Sequence, residues 1–275
     1  MSNFSEIIKN LKFHENGFWV SEQSTNISYP KDGNELCAEI EDSSFWFRHR
    51  NNVISSVIKN FPPEGAVFDI GGGNGYVVKN LIENGFDCVL IEPGIYGADR
   101  AVKRGVTQVI CATIESIDLK KKSIPNIGLF DVIEHIEDDI TFLTNLSSLL
   151  VSGGRVYATV PAYNFLWSDE DVYAGHFRRY TLNSISELFN KAGLQIEYVT
   201  YFFRFLPIPI FLLRTLPSFI GLKSSNTLEA TKKEHTSNTG LSDYFLRKVF
   251  NAELKQINNK KSLLFGASCF IVAKS

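Results

Sequence analysis

The stretch Ala66-Val67-Phe68-Asp69-Ile70-Gly71-Gly72-Gly73-Asn74-Gly75-Tyr76 constrains this chain most. Its apolar start, Ala66 to Phe68, reads as a buried strand. The glycines that follow read as a tight turn. Val77, Val78, Leu81 and Ile82 then recur at helical spacing, and Gly85 is a good helix stop. Strand, glycine turn and helix in that order aim backbone N–H groups and a helix N-terminus at whatever lies above the strand. Glycines at 71, 73 and 75 let a ligand approach the backbone with no Cβ in the way.

The spacing separates candidate ligands. In the dinucleotide fingerprint G-x-G-x-x-G the third glycine permits close helix–strand packing, but here that position is Tyr76. The pattern is instead D-x-G-x-G-x-G, opened by Asp69. It resembles the first motif of class I S-adenosylmethionine (SAM) methyltransferases, in particular the bacterial type 11/12-like group. The resemblance implies that Gly71, Gly73, Asn74 and Gly75 lie against the amino-acid half of SAM, with Asp69 in its polar surround. A glycine turn with a structural role in another α/β protein is the alternative, because isolated glycine motifs are weak signals.

One strand–helix unit later, Cys88-Val89-Leu90-Ile91 ends in Glu92-Pro93. Glu92 therefore sits at the carboxyl tip of the neighbouring strand, where an acid can accept both ribose hydroxyls of an adenosine cofactor. Dehydrogenases share this feature. A helix (Ala98, Ala101, Val102, stopped by Gly105) and a strand (Val106 to Cys111) continue the alternation. By the resemblance, Thr113 and Ile114 after that strand contact the adenine. Ile124 to Phe130 reads as the fourth strand. Phe130 to Asp139, with its Glu134-His135 pair, resembles the fourth-strand motif of the same superfamily and places Phe130 and Asp131 at the cofactor. His135 is a candidate general base, and His176 a second; for each, a structural histidine is the alternative.

Ahead of the glycine strand, Val53, Ile54, Val57 and Ile58 mark a helix that Pro62-Pro63 ends. Phe45 to Phe47 at its start suit core packing. Arg48 and Arg50 are cations that can pair with a carboxylate such as that of SAM, and Arg48 is taken as a cofactor ligand. Gly153-Gly154 reads as a turn into the fifth strand, Arg155 to Val160. Trp167 to Tyr180 reads as a loop, yet it carries Trp167, Tyr173, His176, Arg178, Arg179 and Tyr180, a set suited to binding an acceptor. Its G-H-F-R-R-Y-T run also looks like a subset of bacterial class I methyltransferases. Thr181 caps a helix that Gly193 ends, and Leu194 to Tyr201 reads as the sixth strand.

The expected fold is α/β: a Rossmann-like, doubly wound, seven-stranded sheet with an antiparallel last strand. The division is a cap segment (1–62) with a helical character, a SAM-binding core (63–202), a hydrophobic and helical insertion (203–260) and a terminal strand (261–275). A hydrophobic fraction of 44% supports a sizeable core. Within the insertion, Phe202 to Leu222 is apolar but carries Arg204, Arg214 and prolines 207, 209 and 217, expected to break it into short pieces. Its longest uncharged piece, Phe205 to Leu213, is far short of the ~20 residues needed to span a bilayer. It suits a cover over an apolar or lipid-linked acceptor, a dimer face or an interfacial anchor flanked by Arg204, Arg214 and Lys223.

A net charge of −2 gives no basic field for nucleic acid. Cysteines 37, 88, 111 and 269 are scattered without zinc-like spacing, so buried thiols and no metal are expected. The N-terminus shows no signal-peptide pattern, and cytoplasm is the expected location, peripheral to a membrane if the insertion binds lipid. The expected activity is methyl transfer from SAM to a small molecule, leaving S-adenosylhomocysteine. A non-catalytic SAM-binding protein and a nicotinamide-dependent dehydrogenase are the alternatives.

Overall fold

The apolar run before the glycines is a central strand, and the rest of the sheet is laid on either side of it. This computed structural model describes residues 8, 10–21, 40–219, 221 and 241–275. Two short strands, β1 (Leu11–Phe13) and β2 (Trp19–Ser21), precede helix α1 (Phe45–Asn60). Then follow β3 (Val67–Ile70), α2 (Tyr76–Glu83), β4 (Cys88–Ile91), α3 (Ile95–Lys103), β5 (Val109–Cys111), β6 (Ile124–Phe130), α4 (Asp139–Leu149) and β7 (Leu150–Pro161). Next come α5 (Asp169–Ala174), α6 (Leu182–Lys191) and β8 (Gln195–Phe202). The chain continues through α7 (Pro207–Ile210), a π-helical turn (Phe211–Thr215), α8 (Leu216–Phe219) and α9 (Leu241–Asn258) to the closing β9 (Ser268–Lys274).

The sheet order is β1-β2-β5-β4-β3-β6-β7-β9-β8. Strands β5, β4, β3, β6 and β7 run parallel, with Asp69 opposite both Leu90 and Gly128. β9 lies antiparallel between β7 and β8. The seven-stranded Rossmann-like sheet is therefore present, and the described residues add two strands to it. β2 pairs parallel with β5, and β1 pairs antiparallel with β2. The N-terminal segment is thus not only helical. Phe18, fully buried, pins the β1–β2 turn to the sheet, but three-residue strands carry too little alternation to be read from sequence.

Helix α1 starts where the Ser44 hydroxyl accepts hydrogen bonds from the Trp46 and Phe47 N–H groups. It buries Val53, Ile54, Val57 and Ile58. β7 begins at Leu150, and Gly153-Gly154 lie within it at a bulge: the pairing with β6 jumps from Ile124–Leu150 to Asn126–Arg155, and Gly153 has φ +81°. A Cβ on Gly154 would sit 2.4 Å from the Pro125 carbonyl oxygen of β6, so packing demands the glycine. The segment expected to be a loop between Trp167 and Tyr180 contains α5, ended by Gly175 at φ +75°.

Prolines 207, 209 and 217 do not break the insertion as expected. Pro207 and Pro209 fall in the first turn of α7, where an N–H has no intrahelical partner. Pro217 follows the π turn, whose wider ladder accommodates a missing donor. Residues 223–240, including Lys223, lie outside the described residues, as does Cys37. Cys88, Cys111 and Cys269 are buried, unbridged thiols. Among the described residues no helix is long and apolar enough to cross a membrane.

The insertion returns to the core through Glu253 of α9, which is 2% exposed. Its Oε1 lies 2.7 Å from His49 Nε2 of α1 and accepts from the Phe203 N–H at 2.8 Å. Its Oε2 accepts from the Arg204 N–H at 2.7 Å. Phe203 has φ +59°, an unusual backbone for a large side chain, where the chain leaves β8. Glu253→Ala would strand these donors in the interior. We expect a loss of about 2–4 kcal/mol, measured as a fall in the urea midpoint; an unshifted midpoint would show that this anchor carries no weight.

Candidate active site

The carboxyl ends of β3, β4, β5 and β6 converge on the glycine loop. Gly71, Gly73 and Gly75 have φ of +74°, +55° and +71°, a backbone that only glycine adopts readily three times in five residues. Ligand access is not the whole reason for these glycines. A Cβ on Gly75 would lie 2.8 Å from Ala101 Cβ, and one on Gly72 would lie 2.3 Å from Leu90 Cδ1 and 2.4 Å from Asp69 Oδ2. The turn is packed against its own sheet and α3, and this holds it in shape.

Asp69 is fully buried, and neither of its carboxylate oxygens has a hydrogen-bond partner among the described residues. Burial pushes its pKa to about 7; Arg50 opposes this and Glu92 adds to it. Glu92 is 5% exposed and fixed at both oxygens. Oε2 accepts from the Gly73 N–H and Oε1 from the Gly94 N–H, each at 2.8 Å. Glu92 thus ties the tip of β4 to the glycine loop. A carboxylate oxygen has more than one acceptor position, so this tether leaves capacity for hydroxyl donors. Pro93, Thr113 and Ile114 are half-buried on the same side, with Thr113 and Ile114 set by a 3₁₀ turn, Ile114–Ser116. Ile95, which the sequence reading did not single out, is 58% exposed at the start of α3 beside Gly94. An apolar residue left bare directly after an acid and a turn was the available signal.

Three expected cofactor ligands are placed otherwise. Arg48 is exposed, whereas Arg50 is buried. Residues two apart on a helix face different ways, so only one of the pair can reach the strand ends. Arg50 does so: its Nε lies 2.6 Å from Asp131 Oδ2, and its Nη2 donates to the Phe130 carbonyl at 2.8 Å. The Asn74 side-chain Nδ2 donates to Glu41 Oε1 at 3.4 Å, and the Asn74 backbone carbonyl accepts from Arg104 at 3.3 Å. It serves the junction with the N-terminal segment. The Phe130 side chain is buried 6.4 Å from the Phe270 ring, so only its carbonyl faces the site. Asp131 does sit at the strand tip, at φ +60°, with Oδ1 accepting from the Thr159 hydroxyl at 2.9 Å.

Beyond Asp131, the 3₁₀ turn Ile133–His135 brings His135 against His176, with ring centroids 4.7 Å apart. The two histidines, far apart in sequence, are thus brought together. Burial, then the neighbouring His176, lower the His135 pKa to about 4. His176 Nδ1 lies 2.8 Å from Asp171 Oδ1. Asp171, 1% exposed, is also gripped by Arg179, Nε to Oδ1 at 2.7 Å and Nη2 to Oδ2 at 2.9 Å. Burial pushes the Asp171 pKa up, and the bonds from His176 and Arg179 more than reverse this, leaving it below the ordinary value. Glu134, 1% exposed, has its pKa pushed up from the ordinary glutamate value, by burial first and Asp131 second. Glu134 was visible in the sequence as half of the Glu134-His135 pair, whereas Asp171 did not stand out, because acids are common in loops.

The family described as a methyltransferase domain matches residues 46–199. Among solved structures, phosphoethanolamine N-methyltransferase 2 of Haemonchus contortus, in complex with SAM, aligns with a TM-score of 0.54 and 17% identity, over 91% of this chain and 58% of that one. The chain therefore spans little more than half of that enzyme's length. A SAM-dependent methyltransferase of Thermotoga maritima aligns with a TM-score of 0.54 and 20% identity, over 88% and 96%. The plantazolicin methyltransferase BamL, in complex with a triazolic analogue and S-adenosylhomocysteine, aligns with a TM-score of 0.51 and 18% identity, over 90% and 92%. At these identities the likeness is one of fold. No curated protein sequence matches the chain.

The buried Asp69 carboxyl gives a pH signature. An aspartate ionises near 3.8 when unperturbed and near 7 here. A raised folded-state value contributes stability that is complete below the unfolded pKa and is lost as pH rises through the folded one. Asp69→Asn removes that loss. Between about pH 4 and about pH 8 the variant should gain on the order of 1–4 kcal/mol relative to wild type. Urea midpoints of both proteins across that range are the measurement, and parallel curves would show that Asp69 ionises normally.

Proposed function

The chain belongs to the methyltransferase-domain family, and from that premise we propose that it transfers the methyl group of SAM to an oxygen-bearing or other nucleophilic small molecule with an apolar body. The observation that carries the cofactor half is Asp69. A buried carboxylate with two orphan oxygens beside a left-handed glycine turn needs a donor, and the ammonium end of SAM is a donor of the right sign. Gly71, Gly73 and Gly75 would lie along the amino-acid half. Glu92 would accept from the ribose hydroxyls, and Pro93, Ile95, Thr113 and Ile114 would border the adenine. When bound, SAM supplies a methyl group already activated by its sulfonium.

The protein's part is alignment and exclusion of water. The Arg50–Asp131 pair fixes the tip of β6, next to which the acceptor must sit. His135 and His176 would face the acceptor's nucleophilic atom. The rival dinucleotide reading meets an obstacle at Tyr76, which takes the third glycine position under the Arg104 guanidinium, 5.1 Å from its ring centroid.

Support for an apolar acceptor comes from the insertion. Ile208, Leu212, Leu213 and Phe219 are 66%, 54%, 67% and 88% exposed, so they are not core packing. The helical run is tied to α5 by Arg214–Glu170 and by Ser218 donating to Asp169 Oδ1 at 2.8 Å. It therefore lies beside the element that carries Asp171. Tyr163, Phe165 and Phe211 form an aromatic row between them. Because Arg214 is paired, lipid contact rests on apolar area more than on cations.

Two experiments test these halves. Glu92→Ala should weaken SAM by about 1.5–3 kcal/mol in calorimetry, with NAD giving no heat on the wild type; an unchanged SAM dissociation constant would remove Glu92 from the site. Wild type should co-sediment with phosphatidylcholine–phosphatidylglycerol vesicles, and Leu213→Ser with Phe219→Ser should abolish this without changing the circular dichroism, since both side chains are exposed. Wild type that stays in the supernatant would sink the lipid-linked acceptor.

A further inference from the structure

We propose that Glu134, His135 and His176 bind a divalent first-row transition-metal ion of the zinc type. The three residues each offer a ligand atom, and these atoms lie within 4.8 Å of one another. They come from separate elements, the turn after β6 and the segment after α5, so helical periodicity does not explain their meeting. Two imidazoles and one carboxylate form a set that suits zinc or iron and leaves a coordination position open.

The surroundings orient these side chains as ligands. His176 turns Nδ1 to Asp171, which leaves Nε2 for the cluster. Asp171 is itself immobilised by Arg179 and by the Ser168 N–H at 2.9 Å. His135 makes backbone hydrogen bonds at Gly175 and Ala174. Metal-bound histidines characteristically give their second nitrogen to a carboxylate or a carbonyl in this way. The independent observation is Glu134. Its Oε2 is buried with no hydrogen-bond partner, and no salt bridge reaches it among the described residues. A carboxylate in that position leaves an acceptor unmet in the interior, and a cation shared with the two histidines meets it. The Glu134-His135 pair and His176 were visible in the sequence, but 41 residues separate the two histidines, and the usual sign of a metal site is close cysteine or histidine spacing.

The site deepens the methyl-transfer reading and rests on it for its role. An ion here would lie beyond the β6 tip and bind an acceptor hydroxyl at its open position, lowering that hydroxyl's pKa. The hydroxyl proton passes to water. The new O–CH₃ bond forms as the C–S bond breaks, and the electron pair of that bond stays on sulfur. The acceptor class is then a hydroxylated apolar molecule, and O-methylation the reaction.

The test uses tag-free, chelator-stripped protein titrated with Co²⁺ alone, followed by calorimetry and by the visible bands of the bound ion. Wild type should take one ion per chain. Glu134→Gln, which keeps the side-chain volume, and His176→Ala should each weaken Co²⁺ at least about 100-fold, and Asp171→Asn about 10- to 100-fold. SAM is titrated separately into the same stripped proteins. Glu134→Gln that holds SAM as wild type does, yet loses Co²⁺, supports the site. Wild type without Co²⁺ bands, or bands that persist in Glu134→Gln, overturns it even where SAM binds normally. Wild type that binds Co²⁺ but not SAM would leave the metal site standing and remove the methyl-transfer reading.

Discussion

The Asp171 carboxylate holds together the segment from Ser168 to Arg179 that lies above the strand tips. Its two oxygens receive the Ser168 N–H, the His176 ring and both edges of the Arg179 fork. A buried carboxylate with that many charge-assisted bonds is strongly anchored, and removing either side would leave a charge stranded in the interior. Asp171 starts α5 through its bond to Ser168, and Arg179 carries the chain back by donating to the Ala162 carbonyl. The segment is therefore a clamp rather than a flexible loop. Because α5 also receives Arg214 and Ser218, the apolar helical run takes its position from the same clamp.

The cofactor side shows a contrasting arrangement. Glu92 is satisfied by the backbone of the loop it serves, whereas among the described residues both oxygens of buried Asp69 and the Oε2 of buried Glu134 have no hydrogen-bond partner. Unmet acceptors in an interior cost free energy, and proteins retain such costs mostly at functional sites. Both deficits sit at carboxyl ends of adjacent parallel strands, β3 and β6, where open α/β sheets place their ligands. The Arg50–Asp131 pair lies at the β6 tip, and Arg50 draws the Asp69 pKa down against the effect of burial. Two acids are thus left to be satisfied from outside the chain, while the arginine between them is already committed to a third.

Much of this architecture was legible in the sequence because it depends on short-range chemistry. Asp69 with its alternating glycines, the acid at 92, the strand from 124 to 130 and the antiparallel terminal strand all lie where their local patterns place them. What was not legible depends on contacts distant in sequence. Arg48 and Arg50 differ only in which way the helix turns them. Asn74 looks like a loop ligand until Glu41 and Arg104 claim it. Gly153-Gly154 reads as a turn ahead of a strand, but it is a bulge within β7, and Gly154 has no room for a Cβ beside the Pro125 carbonyl of β6. Helix α5 is too short for periodicity, and the prolines of the insertion are tolerated because of where they fall relative to a helix start and a π turn.

The two histidines illustrate why position along the sheet matters more than residue type. His49 is buried and His135 half-buried, and both contact other rings. His49 stacks 4.0 Å from the Phe250 ring and meets the Glu253 carboxylate, which is itself satisfied by two backbone N–H groups. That arrangement is closed around Glu253, whose two oxygens are both engaged, and its effect is to fasten the insertion to α1. His135 lies instead beside an acid with an unmet oxygen and a second imidazole whose outer nitrogen is turned toward it. That arrangement is open on one side. A satisfied histidine stabilises a fold, whereas a set of aligned donors and acceptors lacking one member defines the charge and size of what completes it.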